Sequence, residues 1–164
     1  MKLKLTHTRN SLPEKIRIEM VALLQERLSE GIDLMLQAKQ AHWNVKGPNF
    51  IALHQLFDEV YGDAQGHVDL LAERIVQLGG MAQGGIRQSV KRSTLPEYPL
   101  GISSGKKHVA ELAHGIAYFG EQIRKSVDLA AEHNDASSAD LLTEILRGVD
   151  KSLWFVEAHE QSEQ

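Results

Sequence analysis

Four side chains within one stretch of the chain, His54, Asp58, Asp69 and Glu73, are of types that ligate metal ions, and their spacing gathers them on one side of a helix. Taking about 100° of rotation per residue and His54 as the origin, Asp58 falls at about 40°, Asp69 at about 60° and Glu73 at about 100°. Imidazole combined with carboxylates suits iron, manganese or zinc, and in a chain without cysteine iron or manganese fits well. Any one of these residues alone reads as an ordinary solvated charge; the set points to a metal. Asp58 and Asp69 are 11 residues apart, a helix rise of about 16 Å, which one ion cannot span. Two half-sites on one helix become two whole sites when a second copy packs antiparallel, so that His54 and Asp58 of one chain face Asp69 and Glu73 of the other. The two-fold axis then crosses the helix near residues 63 and 64, where Gly62, Ala64 and Gly66 offer small side chains for close approach. Each glycine inside a helix costs about 1 kcal/mol relative to alanine, so two of them imply a packing role. His42, in the last turn of the preceding helix, reaches the first half-site if the two helices fold back on each other; a histidine there also reads as a cap or dipole partner.

The elements that must position these groups are long helices. Ile16, Met20, Leu24, Leu28, Ile32 and Leu36 recur at close to helical spacing behind Ser11-Leu12-Pro13-Glu14, a capping-box pattern, and predict a first helix over residues 12 to 45. It should stop at Val45-Lys46-Gly47-Pro48, with the glycine as a left-handed cap. A second helix is predicted from about Asn49 to Leu78, closing at Gly79-Gly80. The connection over 79 to 104 is rich in Gly, Ser and Pro, with room for a short helix over Val90 to Tyr98. A third helix fits Lys106 to about Ala131. A fourth fits about Ser137 to Glu160, with Leu141, Leu142, Ile145, Leu146, Val149, Leu153 and Val156 as its apolar face. No strand-like alternation competes. The fold class is all-α, a four-helix bundle of the ferritin-like kind with a short helix in the long crossover between helices two and three.

With 164 residues and 42% hydrophobic content, the chain is expected to form a single domain over 1–164, residues 1–11 being a short N-terminal tail. No apolar run is long enough for a membrane span and no signal peptide is visible, so a cytoplasmic location is expected. A net charge of −4 argues against a uniformly basic nucleic-acid-binding domain.

The stretch Lys39-Gln40-Ala41-His42-Trp43-Asn44-Val45-Lys46-Gly47-Pro48-Asn49-Phe50, continued by His54, Asp58, Asp69 and Ala72-Glu73-Arg74, resembles the signature of the Dps family, the DNA-binding proteins from starved cells. Tyr98-Pro99-Leu100 and Asp150-Lys151-Ser152-Leu153-Trp154-Phe155 extend the resemblance over nearly the whole chain. It implies a hollow homo-dodecamer built from two-fold dimers. Such a shell binds Fe(II) at dinuclear sites between subunits, oxidises it preferably with hydrogen peroxide and stores the ferric product, with zinc or manganese as substitutes for iron. The metal ligands and catalytic residues would be His42, His54 and Asp58 of one subunit with Asp69 and Glu73 of its partner. Trp43 would lie beside the iron as an electron donor or shield, although it also reads as a buried aromatic with a bonded indole N–H. Asp140, near the start of helix four, would line an acidic iron-entry pore, or serve the helix dipole.

Family members that bind DNA commonly do so through long lysine-rich tails. Here Met1 to Asn10 offers only Lys2, Lys4 and Arg9, against Glu157, Glu160 and Glu163 at the other end. The alternative function is therefore a nucleoid-associated DNA-binding structural protein with little ferroxidase activity. Glu111-Leu112-Ala113-His114 is a Glu-x-x-His, but an in-chain di-iron site needs two such motifs and only one is present. His67 points about 140° away from His54. His7, His108, His133 and His159 lack any partner pattern and are expected at the surface.

Overall fold

A computed structural model describes residues 4–161, so Lys2 and Glu163 lie outside the described residues. Among the described residues five helices follow one another: α1 (Glu14–Asn44), α2 (Phe50–Gln77), α3 (Ile86–Arg92), α4 (Gly105–Glu132) and α5 (Ala136–Glu157). The long helices form two antiparallel pairs, α1 with α2 and α4 with α5, and α1 against α4 and α2 against α5 close the bundle. Among the described residues there is no strand beyond an isolated bridge between Lys46 and Ser104. None of the described helices is long and apolar enough to cross a membrane.

The core is a column of aliphatic side chains with two phenylalanines. Leu24 and Leu28 of α1, Phe57, Leu71 and Ile75 of α2, Leu112, Ile116, Phe119 and Ile123 of α4 and Leu142 and Ile145 of α5 are all fully buried. Each contributes about 1.5–3 kcal/mol by leaving water. Leu36, expected on the α1 face, is instead 43% exposed. Steps of four residues rotate by about 40° each on a 3.6-residue helix, so a strict i, i+4 series winds off the buried side; Leu34, Ala38 and Ala41 take over.

Local backbone rules explain the boundaries. No capping box forms at Ser11: Pro13 occupies the N-cap position, without a side-chain cap, and Asn10 Oδ1 accepts from the Leu12 amide instead (2.9 Å). A residue before proline is biased away from helical angles, which forbids a start at Leu12. At its other end α1 stops in an extended Val45 rather than at a left-handed glycine, and the strand-like Lys46 is held by the Ser103 carbonyl (2.8 Å). Helix α2 does end as expected. Gly79 is left-handed (φ 86°), and the Gly80 amide donates to Ile75 O (2.9 Å) in a Schellman closure. The crossover helix lies at Ile86–Arg92 and not at 90 to 98, where Pro96 would sit in its interior.

Two ties lock the frame. The buried Arg74, at the end of α2, donates to Ser138 Oγ and to Asp135 Oδ1 (both 2.9 Å), and Asp135 in turn caps α5 through the Ser138 amide. From Leu5 onward the N-terminal segment is anchored to the bundle. Thr6 donates from its amide and its hydroxyl to the Gly79 carbonyl (both 2.8 Å), and Leu5 and Leu12 pack against the core.

Candidate metal centre

The antiparallel return of α2 along α1 brings His42 and His54 face to face. Their rings stack with centroids 3.6 Å apart and 21° between planes. His42 Nδ1 lies 2.7 Å from the His54 carbonyl, and His54 Nδ1 lies 2.8 Å from the His42 carbonyl. A carbonyl oxygen only accepts, so each Nδ1 must carry the hydrogen, and each neutral ring keeps its lone pair on Nε2. Reciprocal bonding of each ring to the other's carbonyl fixes tautomer and ring orientation before any cation arrives. His54 also satisfies a carbonyl in the last turn of α1 that the helix itself leaves open. The reading of His42 as a cap for its own helix end is thereby replaced, since its hydrogen bond goes to α2.

Asp58, one turn beyond His54, is exposed and forms an ion pair with Lys39, whose ammonium also sits 4.8 Å from the Tyr61 ring centroid. The hydrogen bond from Lys39 is the main reason that the Asp58 carboxyl is held below the usual carboxylate range. His42 Nδ1 lies 4.0 Å from the same carboxylate. Lys39 escaped the sequence reading, although its i, i+3 relation to His42 places the two side by side on α1.

Asp69 and Glu73 lie farther along α2, both exposed. Between the two halves runs a groove of about 700 Å³ lined by Met35, Tyr61, Gly62, Gln65, Gly66 and Asp69 among others. A Cβ added at Gly62 or Gly66 would meet nothing within 4 Å. Ala64 does not belong to this face. It is buried at 3% exposure, because it sits about 80° to the other side of His54 around the helix. Among the described residues no three His, Asp or Glu side chains of one chain converge as a metal would require.

Trp43 is 66% exposed, which removes the reading of a buried aromatic. Asp140 is exposed in α5 and does not serve as the N-cap, a task that Asp135 performs. In the lone Glu-x-x-His, Glu111 is half-buried and His114 exposed. His67 is half-buried against Gly148, on the far side of α2. His7 and His159 are exposed as expected, whereas His133 is half-buried and 3.3 Å from Glu19. His108 contradicts its expected surface position outright: it is 1% exposed, and its Nδ1 lies 2.7 Å from Tyr98 Oη. A single histidine carries no mark of burial in its neighbours along the chain; only the packing of α4 against the crossover and the α1–α2 pair creates it.

The Ferritin family, described as a ferritin-like domain, matches residues 21–162. A DNA protection during starvation protein of Agrobacterium fabrum (strain C58 / ATCC 33970) is 42% identical over 157 residues, covering 95% of this chain and 97% of that one. Among solved structures, DpsA14 from Streptomyces coelicolor superposes with a TM-score of 0.92 at 32% identity, over 99% of this chain and 96% of that one. Dps from Microbacterium arborescens in the high iron form gives a TM-score of 0.83 at 31% identity, over 95% and 98% respectively.

Proposed function

The chain belongs to the Dps family of ferritin-like proteins, and on that footing we propose that it is a ferroxidase and iron store that removes Fe(II) together with hydrogen peroxide. The observation that carries this reading is the reciprocal histidine lock, which ties up Nδ1 of both stacked rings and leaves Nε2 of each for a ligand, with the Asp58 carboxylate one helical turn beyond His54. Fe(II) is the substrate. Each peroxide accepts two electrons and takes one from each of two Fe(II), so the site has to hold two iron ions. One chain supplies His42, His54 and Asp58, and Asp69 and Glu73 of a second copy, packed antiparallel across the bare Gly62 and Gly66 face, supply the rest. The protein groups neutralise charge, fix the geometry and keep peroxide from meeting iron elsewhere.

In this reading Trp43 stands beside the site as donor or shield, and Asp140 lines an acidic entry pore in a shell of twelve subunits that stores the ferric product. Manganese or zinc fits the same donors, but zinc has no second oxidation state to offer and would occupy the site without turnover. The protection of DNA for which the Agrobacterium relative is named follows here from removal of the radical-forming pair. A direct grip on DNA has less support, because Thr6 ties the basic N-terminal segment to the bundle.

Anaerobic loading with Fe(II), followed by peroxide in a stopped-flow spectrometer, tests the reading. About two Fe(II) should be consumed per peroxide, and the double variant Asp58→Ala with Glu73→Ala should slow the reaction by well over about 10-fold, the cost of disturbing even an outer partner of a metal ligand. Unchanged kinetics in that variant would sink the assignment.

A further inference from the structure

Tyr98 and His108 form a buried polar pair for which the oxidation site has no use. Tyr98 is 7% and His108 1% exposed, their rings lie 6.0 Å apart at 20°, and phenol and Nδ1 are 2.7 Å apart. The pair packs next to residues that adjoin the candidate site. Phe57, which precedes Asp58, has its ring 6.4 Å from His108, and His108 also faces the backbone carbonyl of Asn44, the residue after Trp43.

The direction of the hydrogen bond follows from what the pocket offers. If Nδ1 carried the hydrogen, the phenolic proton would be buried without an acceptor. If the phenol donates to Nδ1, the imidazole hydrogen is on Nε2, which makes no aligned hydrogen bond but belongs to a ring close to the carbonyls of Ile102 and Asn44. The second arrangement leaves less unsatisfied, so the phenol proton already points along the path to its acceptor.

We infer that Tyr98 and His108 form a one-electron trap for the oxidant released when a peroxide meets a single Fe(II), an inference that rests on His42, His54 and Asp58 being where iron meets peroxide. A lone Fe(II) supplies one electron, which cleaves the O–O bond into hydroxide and a hydroxyl radical. Tyr98 supplies the second electron, and its phenolic proton crosses to His108 Nδ1. The radical, with that electron and a solvent proton, becomes water. A neutral phenoxyl and an imidazolium remain in the core until a later Fe(II) returns the electron and the proton moves back.

The environment favours moving both particles together. Burial, reinforced by the charge of Glu111, pushes the Tyr98 phenol far above its ordinary range, so loss of the proton alone is barred. Loss of the electron alone would leave a cation in an apolar core. Burial also lowers the His108 imidazole, which keeps it neutral as an acceptor, while the carbonyls of Ile102 and Asn44 pull the other way and favour the imidazolium once formed.

The test uses the full-length protein with Fe(II) below one ion per site, mixed with peroxide, frozen within milliseconds and examined by high-field electron paramagnetic resonance. The expected signal is a phenoxyl radical that narrows in protein grown with ring-deuterated tyrosine. Its low-field g component should be reduced by the hydrogen bond from His108. In Tyr98→Phe the signal is lost and oxidised tryptophan and methionine increase by mass spectrometry; in His108→Asn the g component moves to the unbonded position. Normal iron oxidation with a signal that ignores tyrosine deuteration, or that survives Tyr98→Phe, overturns the inference alone. Absence of iron oxidation in the unaltered protein overturns the site reading and this inference with it.

Discussion

Lys39 competes with any incoming cation for Asp58, and the competition has a sign that can be measured. Replacing it by methionine keeps the stem over Tyr61 and removes the charge. At neutral pH, Lys39→Met should bind Co(II), a coloured stand-in for Fe(II), a few-fold more tightly, the scale of an exposed ion pair. At acid pH the advantage should vanish. Lys39 now holds the Asp58 carboxyl below its usual range, so without it the carboxylate protonates sooner as pH falls, and once Asp58 is protonated in both proteins no ion pair is left to displace and the two affinities converge. Equal affinities at neutral pH would show that Lys39 does not occupy Asp58 in solution. The ligand types and their helical phase were legible in the sequence because a helix turns spacing directly into direction. The Nδ1 lock was not, since it depends on how closely α2 returns along α1, and nor was the burial of His108, which three separate segments create.

The four long helices could be read from apolar periodicity, and Gly79-Gly80 from its punctuation, because both signals are local. The crossover resisted: Leu95 and Tyr98 are buried in a non-helical segment, so their apolar character mimicked a helix that Pro96 forbids. The joint between α2 and α5 was invisible too, since Arg74 and Asp135 meet 61 residues apart. That joint carries the orientation of the α2 end bearing Glu73 relative to the α5 start bearing Asp140. Arg74→Ala would leave Asp135, only 2% exposed, without its counter-charge. Denaturant unfolding should show a loss of about 3 kcal/mol, in the range for breaking one partner of a buried pair. A loss below about 1 kcal/mol would mean that water or Ser138 satisfies the carboxylate alone.

For the whole molecule the decisive surface is the groove between the two half-sites. Since nothing within the chain lies within 4 Å of a Cβ at Gly62 or Gly66, Gly62→Leu with Gly66→Leu is expected to fold with unchanged helical content. It should nevertheless fail to associate through this face and lose Fe(II) oxidation with all five proposed ligands intact. Light scattering coupled to gel filtration, read beside the oxidation rate, checks this; a fully active, proven monomer would refute the split site. At the opposite end of the α1–α2 pair, the contact of Thr6 with Gly79 orders events in time. Thr6 is made 73 residues before its acceptor, and that acceptor takes its final place only when α2 has ended in its left-handed turn. The N-terminal segment therefore has to wait, unpaired, through the synthesis of both helices. Its docking is a late, non-local step that closes only over a completed hairpin, so in folding terms it is a latch on the finished product and not part of the nucleus.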